Sequence, residues 1–335
     1  MCVAYPISDV AQTVVRRTFA VLVAVLCLLI AAIDVHADDR LKVAVAGVRG
    51  VGENFTVDIG LAHGIFKKHG LAVEVFTTDS SGDTQQVVIS NSANVGTGVG
   101  TLGALSAFNK GAPVRILGAN FTGGSQNFWY VPANSLIKSV QDAGGKTVAY
   151  SSFGSSTHAA VLALQKYSGI NFKPTATGAS PATLVAVMSG QIDVGWAGAP
   201  FGMQELASGK IRLVWKASAA PSLDRQTLRV MIANANDLDA RPDVYARFMR
   251  AFRETLDWVY STPDGAKAYA QWANLPEALA KRAIEQFLPK EALNPDQISG
   301  LDDVMADAIS YKYISAQLTN EQLNELIRIP ERRRQ

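Results

Sequence analysis

Cysteine is nearly absent from this chain of 335 residues: there are two, Cys2 and Cys27. Both fall in the first 37 residues, so the rest has no disulfide, thiol nucleophile or thiolate metal ligand. Histidine is almost as scarce, with four in all. None stands in a His-Glu-x-x-His spacing, and none has a cysteine beside it that would complete a zinc site. No charge of one sign dominates either. The 31 Lys and Arg are matched by 29 Asp and Glu, and the basic residues are dispersed, which excludes the footprint expected for nucleic acid or an acidic membrane surface. Ser155 has His158 nearby, but no Gly-x-Ser-x-Gly elbow surrounds it and no third triad member can be assigned. His158 reads as a helix-surface residue. The expectation is a protein that is not an enzyme and uses no metal or cofactor.

One long apolar run is present, at residues 19–33. It is shorter than the roughly 20 residues that span a bilayer. Arg16 and Arg17 precede it, and Val35-His36-Ala37 follows with the small-residue pattern of a cleavage site. Residues 1–37 therefore read as a signal peptide, and the destination as the periplasm. Arg16-Arg17-Thr18-Phe19 resembles a twin-arginine signal, so the Sec and Tat routes both stay open.

From Leu41 onward the pattern alternates between short apolar strands and helical segments, the signature of parallel βαβ units. Strands are expected over 41–46 and 72–76 and around Val95, with helices over about 52–68 and 84–90. The same order recurs about a hundred residues later. Lys146-Thr147-Val148 mirrors Lys42-Val43-Ala44, and Asp193-Val194-Gly195 matches Asn94-Val95-Gly96. Two such pairs in one order indicate two α/β lobes of like topology, each with its loops at the carboxyl ends of its strands, where open α/β sheets bind ligands. The β-rich runs 127–131 and 228–232 read as two crossings between the lobes. This gives a first lobe over 38–127, a second over 128–229, and a return to the first over 230–335. In the return segment, Tyr245, Phe248, Met249, Phe252, Leu256 and Val259 form a helical core stripe, and Thr319 with Gln322 fits a capping box.

The strand-to-helix loops supply the candidate binding residues. Gly98-Val99-Gly100-Thr101-Leu102-Gly103 satisfies the dinucleotide fingerprint as a string. It lies far from the first strand, however, and lacks the acidic residue about twenty positions on. The alternative use of such a glycine-rich helix entrance is to hold an anionic group on free N–H donors. Ser155, Ser156 and Thr157 open another helix, as N-caps or as a cluster of hydroxyl donors. Trp196 can form an apolar wall between lobes. Arg49 can pair with an anion, and Asn54 flanks the same loop.

Taken together, Ser135 to Asp142, Gly145 to Ala149, Gly154 to His158 and Ser189 to Val194 resemble the periplasmic binding proteins of nitrate, sulfonate and taurine importers, related to pyrimidine-precursor binders. The resemblance runs from Leu41 to about Ile329. It implies a two-lobed periplasmic binding protein of type II, with two Rossmann-like lobes joined by two crossing strands. It also implies a monomer that hands a small molecule, such as a sulfonate, to an ABC permease with its ATPase. Binders of a thiamine precursor or an aromatic carboxylate, and an exported ligand sensor for a membrane receptor, are the alternatives. By position, the resemblance places ligand contacts at Arg49, Gly50, Asn54, Thr97, Gly98, Thr101, Ser125, Ser155, Ser156, Thr157, Trp196 and Ala199. Gly198-Ala199-Pro200 stands where such proteins often have Trp-Asp-Pro, which removes one reason to prefer a ligand bearing an ammonium group, taurine included.

Overall fold

The computed structural model describes residues 38–47 and 52–332. The expected signal peptide, Arg49 and Gly50 lie outside the described residues. The first sheet has the order β2-β1-β3-β10-β4, formed by Asp39–Ala46 (β1), Leu71–Thr78 (β2), Val95–Gly100 (β3), Val114–Thr122 (β4) and Thr227–Asn234 (β10). β1 runs parallel to both β2 and β3, and β10 is antiparallel to β3 and β4. Val43, Ala44 and Val45 are consecutive and all buried. A strand covered on both faces needs such an unbroken apolar run rather than alternation. Two further sheets make the other half. Asn127–Pro132 (β5) lies between Gly195–Gly198 (β8) and Ile211–Lys216 (β9), while Thr147–Tyr150 (β6) pairs in parallel with Lys173–Ala176 (β7). The chain leaves the first sheet through residues 123–126 and re-enters it through 217–226.

The internal repeat is present in the hydrogen bonds themselves. Asn94 Oδ1 accepts from the Lys42 N–H at 2.7 Å, and Asp193 Oδ2 accepts from the Thr147 N–H at 2.8 Å. The Thr78 and Thr84 hydroxyls meet at 2.6 Å, as do those of Thr177 and Thr183. Val43 pairs with Val95, and Val148 bridges Val194. These contacts make Lys42 equivalent to Thr147, one residue away from the Lys42 and Lys146 match suggested by the sequence. Since successive strand residues point to opposite faces, only the structural register puts Val43 and Val148 in equivalent places.

The expected helix over 52–68 is two helices, Phe55–Ala62 and Ile65–Lys68, separated at Gly64, whose φ of 70° ends the first. Pro242–Ser261 is a single helix that buries the predicted stripe, and Thr319 and Gln322 form the capping box. The helix Glu277–Phe287 also touches the other half. Its Phe287 ring lies 5.4 Å from that of Phe128 on β5.

The two halves meet at glycine. A Cβ on Gly100 would lie 2.0 Å from the Gly154 carbonyl oxygen, and the Gly103 N–H donates to that same oxygen at 3.2 Å. The Gly82 N–H donates to Ser152 Oγ at 3.2 Å. Beside this contact, His158 corrects the sequence reading. It is only 8% exposed, stacks on Tyr150 with ring centroids 4.3 Å apart, and its Nδ1 bonds the Tyr313 hydroxyl. That hydroxyl also accepts from the Gly154 N–H at 2.9 Å. Tyr150 and Phe153, eight and five residues before His158 in sequence, and Tyr313 from the C-terminal region bury a face that helical spacing alone leaves outside.

Two outcomes are expected. Gly100 has φ −65°, which alanine adopts without strain, so Gly100→Ala should keep the fold but wedge the halves apart. Small-angle scattering should then show a larger radius of gyration with unchanged circular dichroism; an unchanged radius would contradict the contact. Burial lowers the His158 pKa from 6.5 to about 4. The unfolded chain then binds the proton more readily, so stability should fall as pH drops from about 6.5 towards 4. His158→Gln should flatten that acid limb in urea titrations, even if stability at neutral pH is lower.

Candidate functional site

One cleft gathers the carboxyl ends of β1, β3 and β8 and the starts of four helices. Ala46 and Gly47 end β1, Gly98 lies near the end of β3, and Trp196 and Gly198 come from β8. The helices Phe55–Ala62, Ser81–Ile89, Ser156–Ser168 and Ser180–Met188 begin at its wall, represented in the lining by Asn54, Ser81, Ser155 to Thr157, and Ser180. The cleft encloses about 50 Å³, several times what one water molecule requires. A helix N-terminus carries N–H groups without intrahelical partners and roughly half a positive charge. Four such ends around one small space favour negative charge there.

Ser155 is the N-cap of its helix, and its Oγ accepts from the His158 N–H at 3.2 Å. Ser155 and Thr157 hydroxyls lie 2.9 Å apart, and Thr157 Oγ1 accepts from the Ser151 N–H at 2.8 Å. The two hydroxyls thus hold the loop in shape. Ser156 is engaged differently. Its Oγ accepts from Arg229 Nε at 2.8 Å and from Asn127 Nδ2 at 3.3 Å. Arg229 Nη1 and Nη2 donate to Gln126 Oε1 and Asn127 Oδ1. The guanidinium therefore lines the cleft as a cation oriented in part by the Ser156, Gln126 and Asn127 oxygens. Asp79 supplies a carboxylate, but it is exposed at the edge, where solvent screens it.

The structure brings together Asn54, Gly98, Ser155, Ser156, Thr157 and Trp196 of the residues expected from sequence. Four others are elsewhere. Thr97 is buried, donating to Asn54 Oδ1 at 3.4 Å. Thr101 donates to the Thr227 carbonyl at 2.6 Å, and Ser125 to the Phe287 carbonyl at 3.1 Å. Ala199 is fully buried. The glycine string does not offer free donors, because the N–H groups of Gly98, Gly100 and Gly103 bond Asn120 Oδ1, Ser81 Oγ and the Gly154 carbonyl. Gly100 and Gly103 serve the approach of Gly154 instead. Sequence reasoning missed Arg229, Ser81 and Ser180. Ser180-Pro181 carried a signal, since proline is favoured in the first turn of a helix; Arg229 carried none, being one arginine within a strand.

Among the described residues, no group of His, Cys, Asp and Glu could hold a metal ion, and no helix is long and apolar enough to cross a membrane. No curated protein matches the chain. Solved structures do. The alkanesulfonate-binding protein SsuA of Xanthomonas axonopodis pv. citri, bound to MOPS, aligns with a TM-score of 0.68 at 18% identity, over 81% of this chain and 90% of that one. The periplasmic aliphatic sulphonate binding protein SsuA of Escherichia coli gives 0.62 at 17%, over 82% and 90%. The periplasmic nitrate-binding protein NrtA of Synechocystis gives 0.68 at 14%, over 86% of each. These neighbours are named as binding proteins, and the fold is the periplasmic binding protein fold. Residues 57–266 match the family described as NMT1/THI5 like, well over half of the chain, and the protein belongs to the NMT1/THI5-like family.

Proposed function

We propose that this chain is an exported solute-binding protein that captures a small organic anion, such as a sulfonate, and delivers it to an ABC permease with its ATPase. The observation that carries the reading is the convergence of four helix N-termini and the Arg229 guanidinium on one cleft. Two of the structures it resembles are named for sulfonates and one for nitrate, all anions. The signal-peptide reading of residues 1–37, a monomeric state and a periplasmic location complete the proposal. So does the division into lobes at 38–127 with 230–335, and 128–229.

Capture works by closure. Gly98 and Asn54 come from the first half, and Ser156, Trp196 and Ser180 from the second, so a bound anion touches both. Only a ligand with differential affinity for the closed form shifts the equilibrium. Because the donors are already oriented by their own loops, little ordering cost falls on the ligand. The closed outer surface is then what the permease reads.

Two measurements test this. A thermal-shift screen of the mature chain should find an anion among alkanesulfonates, nitrate and carboxylates that raises the melting temperature, since a ligand at a hundredfold of its Kd adds about 2.7 kcal/mol. A shift with uncharged pyrimidines alone would redirect the reading to a precursor binder, and no shift with any of these would remove it. For the anion found, Arg229→Ala should weaken binding about tenfold to a hundredfold by calorimetry, as expected for losing a charge-assisted hydrogen bond worth about 1.5–3 kcal/mol. Arg229→Lys should fall between, because it keeps charge but not the planar fork. Undiminished affinity in both variants would separate Arg229 from the ligand.

A further inference from the structure

The internal repeat is broken at two positions, and both breaks fall at residues that line the cleft. With the offset fixed by Asn94 and Asp193, and by Thr78 and Thr177, Ser81 corresponds to Ser180, Thr97 to Trp196 and Gly100 to Ala199. In the first copy every one of these groups is satisfied within its own half. Ser81 Oγ accepts from the Gly100 N–H at 2.8 Å, and Thr97 Oγ1 donates to Asn54 Oδ1. In the second copy the equivalent bonds are not made. The Ala199 N–H turns to the Gln126 carbonyl at 3.3 Å, which leaves Ser180 Oγ without a partner. The residue replacing Thr97 is a tryptophan whose Nε1–H has none either. Ser180 is 1% exposed and Trp196 7%, so bulk water does not compensate them.

Leaving a buried polar group unpaired costs on the order of 1–3 kcal/mol. Among the described residues six other buried side-chain atoms also lack partners, Tyr130 Oη and Trp215 Nε1 included, but none of these residues lines the cleft. Among the described residues, Ser180 and Trp196 are the two that combine an unpartnered buried polar atom with a place in the cleft lining.

We infer that Ser180 and Trp196 are the specificity-determining pair of the proposed binding site, receiving an acceptor oxygen of the ligand's anionic head. The inference rests on the reading above and sharpens it. The indole N–H can only donate, whereas the Ser180 hydroxyl does either, so it is Trp196 that favours the oxygen of a sulfonate, nitrate or carboxylate over a group that itself donates, such as an ammonium. A site that hydrogen-bonds its ligand through buried groups discriminates strongly, since a mismatched ligand leaves them unpaired. The first copy, with its hydroxyls already satisfied, supplies shape at the opposite wall.

The test uses the mature chain with ethanesulfonate and nitrate as probes, with ethylammonium as the mismatched control. In a proton–nitrogen correlation spectrum the Trp196 indole signal, assigned by its loss in Trp196→Phe, should move on saturation with the anion. By calorimetry Trp196→Phe and Ser180→Ala should each bind about tenfold more weakly, while Trp196→Phe retains the ring and therefore the wall. Ethylammonium should leave the indole signal unmoved. If an anion binds but the indole signal stays in place and Trp196→Phe keeps full affinity, the pair is not the determinant, although the proposed function stands. If neither probe binds, nor any anion of the wider screen, both fall together. Binding of ethylammonium with a shifted indole signal would also overturn the inference.

Discussion

The contact between Gly100 and Gly154 fixes how the two halves can face each other. A side chain at Gly100 would run into the Gly154 carbonyl, and that oxygen accepts the Gly103 N–H instead. A peptide group thereby sits directly over the first turn of a helix from the other half. Everything in the cleft follows from this approach. It brings the Ser155-Ser156-Thr157 turn opposite the ends of β1 and β3, and it places Ser156 within reach of Arg229. The Tyr313 hydroxyl closes the joint by accepting the Gly154 N–H and bonding His158.

The cleft is an electrostatic device built mainly from backbone. Helix ends contribute fixed partial charges that need no counter-ion and no reorganisation. Among the described lining residues Arg229 is the full cation, and hydrogen bonds to Ser156, Gln126 and Asn127 help to hold it in place. Asp79, the carboxylate among the described lining residues, is exposed. The low local dielectric that strengthens these donors also makes each unmatched one costly, which is why Ser180 and Trp196 stand out in a structure where the equivalent first-half groups are paired.

The glycine string shows how a motif can be legible while its purpose is not. Read along the chain, residues 98–103 offer the spacing of a nucleotide loop. In three dimensions, Gly98, Gly100 and Gly103 have their N–H groups occupied by Asn120, Ser81 and Gly154. The absence of side chains there serves close approach of another backbone. His158 makes the same point from the opposite direction. Helical spacing puts it on a surface, and Tyr150 and Phe153 together with Tyr313, from more than a hundred residues away, cover it.

Local chemistry was enough to determine the α/β alternation, the apolar stripe of the helix Pro242–Ser261, the capping box at Thr319 and the existence of a duplicated unit, because each depends on residues near one another in the chain. The same holds for the turn at Ser155 to Thr157, where short polar side chains cap a helix whatever lies beyond it. The tertiary structure alone decided which of those loops share a space. It set the register of the repeat, turned Thr97, Thr101 and Ser125 toward partners inside the protein, and carried Arg229 into the cleft from a strand that reads as ordinary. Those choices depend on contacts between residues such as Ser156 and Arg229, or Ser125 and Phe287. Separations of that length leave no pattern in a local window of sequence, since chain connectivity imposes no relation between their positions until both halves have packed.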